Sequence, residues 1–197
     1  MIRSYFNSMA AVWDENIAEK DTDKLNSMME RLYIKQGSAV LDIGSGTGVF
    51  IPYIMDRIGA TGNLTALDFA EEMLMCCKTK HGNRNIDYLH ADVMLLPLSG
   101  QSYDVVVCYS CFPHFSDKLK ALSEIYRVLK KQGYVHICHT SSRDQINTIH
   151  RGIPAVSNDL IPDQDEMRLI MASAGFSDIE IYDSGDSYLA SGVKQQL

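Results

Sequence analysis

An apolar strand running straight into three glycines at alternate positions constrains this chain most: Val40-Leu-Asp-Ile-Gly-Ser-Gly-Thr-Gly48. Glycines there permit the positive φ of a sharp turn and let the backbone approach a ligand with no Cβ between them. A helix starting directly afterwards offers free backbone N–H groups. The same succession of short apolar run, turn and helical stretch recurs along the chain. Strands are expected at 39–43, 64–68, 86–89, 103–109 and 134–139. Helices are expected between them at 49–58, 70–80 and 118–131, with Gly133 as the C-cap of the last. Such alternation builds an α/β domain with a mainly parallel sheet. Two amphipathic helices, 2–18 and 23–34, are expected ahead of it. Residues 140–162 read as a polar, irregular connector broken by Pro154 and Pro162, with 145–151 able to form a helical turn. A helix at 163–174 ended by Gly175, then strands at 179–182 and 187–193 about the Gly185 turn, close the chain.

The loop's spacing is G-x-G-x-G, not the G-x-G-x-x-G of a dinucleotide site, and Asp42 sits two residues before the first glycine. An acid there repels a pyrophosphate and suits a ligand carrying an ammonium group. The second strand ends in Asp68, where a carboxylate can accept both hydroxyls of a ribose. Asp92 follows the third strand. A cationic amino acid joined to an adenosine fits these three acids better than a dinucleotide does, which disfavours a nicotinamide-dependent oxidoreductase.

Eighteen Lys and Arg against 25 Asp and Glu leave a formal net charge of −7. This balance argues against a nucleic-acid partner, whose footprint is normally basic. The 197 residues fit one domain, divided here as 1–36, 37–139 and 140–197, with enough length for a core without staples. Five cysteines, an odd number, read as reduced thiols. The first twenty residues lack the apolar run of a signal peptide, and nowhere are there 18 consecutive apolar residues. A cytoplasmic protein with no membrane span, monomeric or homodimeric, is the expectation. Cys108 and Cys111 have C-x-x-C spacing, but with no second such pair a metal is not expected.

VLDIGSGTG, LTALDFAEEML, HADVMLLPL, YDVVVCYSCFPHF and ALSEIYRVLKKQGYVHI, in this order, resemble the class I S-adenosylmethionine-dependent methyltransferases, most nearly those that methylate quinones at carbon. The resemblance implies a Rossmann-like, doubly wound seven-stranded sheet of order 3-2-1-4-5-7-6 with the last strand antiparallel, under an N-terminal helical lid. It implies S-adenosylmethionine as cofactor. Asp42 and Gly44 would lie at its methionine amino end, Gly46 and Gly48 would make room along it, and Asp68 would hold the ribose. Phe69 would lie on the adenine, Asp92 and Val93 would flank it, and Tyr109 would line the methionine side and the acceptor pocket. The asparagine-proline signature of amino-group methylation is missing from CYSCFPHF. A small-molecule acceptor follows; a non-catalytic protein that binds the cofactor or its demethylated product is the alternative.

In open α/β sheets the crevice lies beyond the carboxyl ends of the strands. His114 follows strand four, His139 ends strand five, and His150 lies in the connector with Arg143, Asn147 and Arg151. His150, His114 and His139 are the candidate bases, and Arg143 the candidate holder of an anionic acceptor group. Tyr5, Phe6, Met9 and Trp13 fall near one helical face, as a lid over such a crevice requires.

Overall fold

β1 (Ala39–Ile43), which feeds the glycine loop, is flanked by β2 (Asn63–Asp68) and β4 (Tyr103–Tyr109), both parallel to it. β3 (Ile86–His90) extends the sheet beyond β2, and β5 (Leu129–His139) extends it beyond β4, again in parallel. β7 (Tyr188–Lys194) pairs antiparallel with β5 and carries β6 (Phe176–Asp183) at the edge. The seven strands thus run β3-β2-β1-β4-β5-β7-β6, the order and the antiparallel last strand expected. The computed structural model describes residues 2–15, 21–82 and 85–195.

Because both faces are covered, the inner strands are apolar on both sides. On one face Leu41, Ile43, Val106 and Cys108 pack beneath α5 (Lys118–Val128) and α7 (Gln164–Ser173). On the other, Val40, Val105, Val107 and Cys138 pack beneath α2 (Thr22–Arg31) and α3 (Ile51–Ile58). Strand alternation therefore puts Cys108 and Cys138 on opposite faces. No helix among the described residues is long and apolar enough to cross a membrane.

Three expectations are corrected. The first helix, α1 (Ile2–Met9), is short, and the chain turns into a single 3-10 turn at Trp13–Glu15; residues 16–18 lie outside the described residues. The helix expected to reach residue 131 stops at Val128. Leu129, fully buried, already pairs with Tyr103, and Gly133 lies within β5 rather than capping a helix. Lys130 holds both oxygens of Asp104 at 2.9 Å, and the chain bulges through Gln132 (φ 63°) before pairing resumes at Tyr134. The connector also contains a full helix, α6 (Arg143–Arg151). Ser142 and Gln145 start it with a reciprocal capping box, a signal plainly written in Ser-Arg-Asp-Gln.

Candidate active site

The crevice opens at the carboxyl ends of β1, β2, β3 and β4. Gly44 (φ 65°), Gly46 (φ 54°) and Gly48 (φ 84°) all occupy the left-handed region. A Cβ on Gly44 would sit 2.4 Å from Cys111 Cβ, so the first glycine lets the β4 turn come close. A Cβ on Gly48 would strike His81 and Cys77 of α4 (Glu71–His81), within 2.8 Å. Gly48 therefore serves helix packing and does not line the crevice, contrary to expectation. Gly44 and Gly46 do line it, around a cavity of about 240 Å3.

Asp42, Asp68, Phe69, Asp92, Val93 and Tyr109 all border this cavity. Asp42 is 1% exposed, yet its Oδ2 has no hydrogen-bond partner. Burial first, then the neighbouring Asp68, pushes its pKa up to about 8. A buried carboxylate oxygen left unpaired is costly, and a cation brought by a ligand relieves that cost. Asp68 is better satisfied: Oδ2 accepts from Gly46 N and Oδ1 from Ala70 N, each at 2.8 Å. Burial still raises its pKa, against the pull of those backbone donors. Asp92 is exposed, and its Oδ1 caps the following turn through Met94 N at 2.9 Å. Tyr109 stacks on Phe50 at 4.7 Å between ring centroids, and its hydroxyl meets Thr140 Oγ1 at 3.0 Å.

α1 closes the crevice from above. Phe6 is buried and meets Phe69, Trp13 and His114 edge-on, at 5.9, 5.6 and 4.9 Å. Arg3 Nε donates to Glu71 at 2.8 Å, and Glu72 N donates to Asn7 Oδ1 at 3.2 Å, tying α1 to the start of α4. Asp14 pairs with Lys80 and accepts from Thr47 Oγ1 at 2.6 Å, tying the 3-10 turn to the glycine loop.

A second cavity of about 310 Å3 adjoins the first; Phe6, Trp13, Ser110 and His114 border both. Tyr5, Met9, Ile146, Ile149, Ile153 and Val156 make most of its wall apolar. His114, His139 and His150 all border it, so the three histidines widely spaced in sequence meet here. His139 is buried, its Nε2 lacks a partner, and burial with its two histidine neighbours lowers its pKa to about 3. Burial also lowers the pKa of His150.

Thr140 and Ser141 also border the second cavity, whereas Arg143, Asn147 and Arg151 border neither. Arg143 Nε donates to Pro162 O at 2.9 Å and Nη1 to Asp144 at 3.0 Å, which turns the guanidinium away. Arg151 is exposed, and the Asn147 amide is consumed by Ile161 through bonds of 3.0 and 2.8 Å. Tyr109 borders the first cavity only. Sequence reading missed Asp159, whose carboxylate reaches His114 Nδ1 at 2.9 Å across 45 residues. It also missed Ser110, held at φ 52° on the wall between the cavities. Only the Asn-Asp pair at 158–159, a turn-forming dipeptide, could have hinted at the former.

A family model described as a methyltransferase domain matches residues 41–137, β1 to β5. The chain is 28% identical to a demethylmenaquinone methyltransferase of Staphylococcus haemolyticus, over 99% of its own length and 94% of the relative's. A protein of the same name from Staphylococcus epidermidis is 32% identical over 71% of this chain and 60% of the relative, so the match spans under two-thirds of that protein. A solved structure, a SAM dependent methyltransferase from Aquifex aeolicus, shares the fold with a TM-score of 0.75 at 23% identity, covering 95% of this chain and 98% of that one.

Proposed function

The chain belongs to the class I S-adenosylmethionine-dependent methyltransferases, and from that premise we propose that it binds S-adenosylmethionine in the crevice above the glycine loop and methylates an apolar ring compound in the adjoining histidine-walled cavity. The observation that carries this reading is the unpaired, buried Oδ2 of Asp42 at the crevice wall. Such an atom fits the ammonium of the cofactor's methionine end and fits no phosphate. Asp68 and Asp92 have the acceptor oxygens a ribose and an adenine amino group require, and Phe69 and Val93 supply the flat apolar slot between them. When bound, the cofactor supplies a methyl group on a positively charged sulfur. The residues of this chain align an acceptor with that methyl, keep water out and receive any proton lost. Alignment of this kind contributes roughly 7–11 kcal/mol to lowering a barrier.

Phe6 and Trp13 would cover both ligands, and His114, on the wall shared by the two cavities, is the best placed base. The largely apolar second cavity, where burial keeps the imidazoles of His139 and His150 uncharged, suits an uncharged ring bearing hydroxyl groups. The relatives' name, demethylmenaquinone methyltransferase, points the same way, to an acceptor of the quinone class. We take residues 1–36 as lid, 37–139 as cofactor core and 140–197 as the segment completing the acceptor wall.

Calorimetry with S-adenosylhomocysteine tests the cofactor half: micromolar or tighter binding is expected. Asp68→Ala should weaken it by about 1.5–3 kcal/mol, as loss of a charged hydrogen-bonding partner does. Transfer of labelled methyl to a prenylated 1,4-naphthohydroquinone tests the acceptor half. No binding refutes the first half; binding without transfer to any reduced quinone refutes the second.

A further inference from the structure

Asp159, between α6 and α7, touches two histidines with two different groups. Its carboxylate Oδ2 lies 2.9 Å from His114 Nδ1, and its main-chain oxygen makes a very short contact with His150 Nδ1. A carboxylate oxygen and a carbonyl oxygen can only accept, so both Nδ1 atoms carry the proton. In the neutral rings this leaves each Nε2 with its lone pair. The two rings lie 4.9 Å apart and 33° from parallel, and both border the second cavity. His139 borders the same cavity with its own unpaired Nε2. Lys118 stands behind the His114 turn, donating to Pro113 O and Phe115 O at 3.0 and 3.2 Å, and adds positive charge near Asp159.

We propose that Asp159 is a positioning residue that fixes the tautomer of both rings, presenting His114 Nε2 as the proton acceptor at the junction of the cavities and His150 as its uncharged neighbour. The proposal rests on the reading of the second cavity as the acceptor site and narrows the acceptor to compounds that shed a proton from O–H or C–H. As the acceptor's oxygen or carbon bonds to the methyl, the pair of the broken S–CH3 bond stays on sulfur. The pair of the acceptor's bond to hydrogen stays on the acceptor, and the proton passes to His114 Nε2. The resulting imidazolium keeps its Nδ1–H on the Asp159 carboxylate, a charge-assisted bond. Burial keeps His150 uncharged, so no second positive charge opposes this one.

The test pairs histidine-labelled nitrogen NMR with turnover of the prenylated naphthohydroquinone. In the parental protein both rings should show the Nδ1–H tautomer. In Asp159→Ala, His114 should lose that preference while His150, still facing the main-chain oxygen, keeps it. That variant's kcat should fall at least tenfold, with affinity for S-adenosylhomocysteine changed less than twofold. Asp159→Asn, whose amide oxygen still accepts from His114, should retain the tautomer and recover most of kcat. An unchanged His114 tautomer in Asp159→Ala overturns the proposal, as does equal loss of kcat in both variants. A parental protein that binds S-adenosylhomocysteine but leaves the probe unmethylated refutes the acceptor reading alone, because the tautomers are read without any acceptor.

Discussion

Asp42 combines deep burial, an unpaired oxygen and a pKa raised to about 8. Below pH 8 the free protein therefore keeps a proton on it, whereas an arriving ammonium favours the ionised form. Binding of S-adenosylhomocysteine at pH 6.5 should expel close to one proton. Calorimetry in buffers of different ionisation heat reads this directly, and the release should fade above pH 9 and vanish in Asp42→Asn. Equal heats in every buffer at pH 6.5 would count against the assignment. The places of Asp42, Asp68, Gly44 and Gly46 at the crevice are legible in the sequence because they lie within a few residues of a strand end, where spacing alone fixes position. Asp159 is not legible, since only the packing of α6 brings it to His114, 45 residues away. Arg143 misled for the converse reason: it is near His150 in sequence, but the bond to Pro162 O turns its head to the other side.

Among elements, the glycine loop and the parallel strands announce themselves by hydrophobic pattern, and the start of β5 does not. Leu129 satisfies a helical repeat and a strand pairing equally well, and the Lys130–Asp104 pair that decides the matter is a tertiary contact. The lid is partly legible. Its apolar face is plain in Tyr5, Phe6, Met9 and Trp13, whereas its closing bond, Asp14 to Lys80 and Thr47, joins residues far apart in the chain. Both charged side chains of that closure are more than a third exposed, so it adds at most about 1 kcal/mol to global stability. Its effect belongs to ligand exchange. Asp14→Ala should speed release of S-adenosylhomocysteine severalfold in stopped-flow displacement while moving the denaturation midpoint little. An unchanged release rate would show that Phe6 and its ring contacts hold the lid alone.

At the scale of the whole molecule, opposing titrations shape stability. The pKa of Asp42 rises from 3.8 to about 8 on folding, so the folded state holds the extra proton and stability falls as pH climbs through that window. Asp68, also raised, acts in the same sense. His136 and His139 drop from 6.5 to about 4 and about 3, so both are neutral when folded and charged when unfolded, and stability falls as pH drops below 6.5. His150 adds to that limb. Protonating His136 also forfeits the bond from Tyr33 N to its Nε2, 3.1 Å long. Each group contributes about 1.4 kcal/mol per pH unit within its window. Thermal midpoints of the free protein should peak near pH 6.5, and S-adenosylhomocysteine should flatten the alkaline limb by pairing Asp42. Midpoints climbing steadily from pH 6.5 to 8 without ligand would contradict these signs.

Phe6 and Trp13 border both cavities, which has a kinetic consequence. If the two ligands bind as proposed, they lie under one short segment, and neither would enter or leave while that segment is seated. Opening of that segment would then gate the exchange of cofactor and acceptor together. Turnover would then be timed by a single door, and an inhibitor wedged beneath it would arrest both traffics at once.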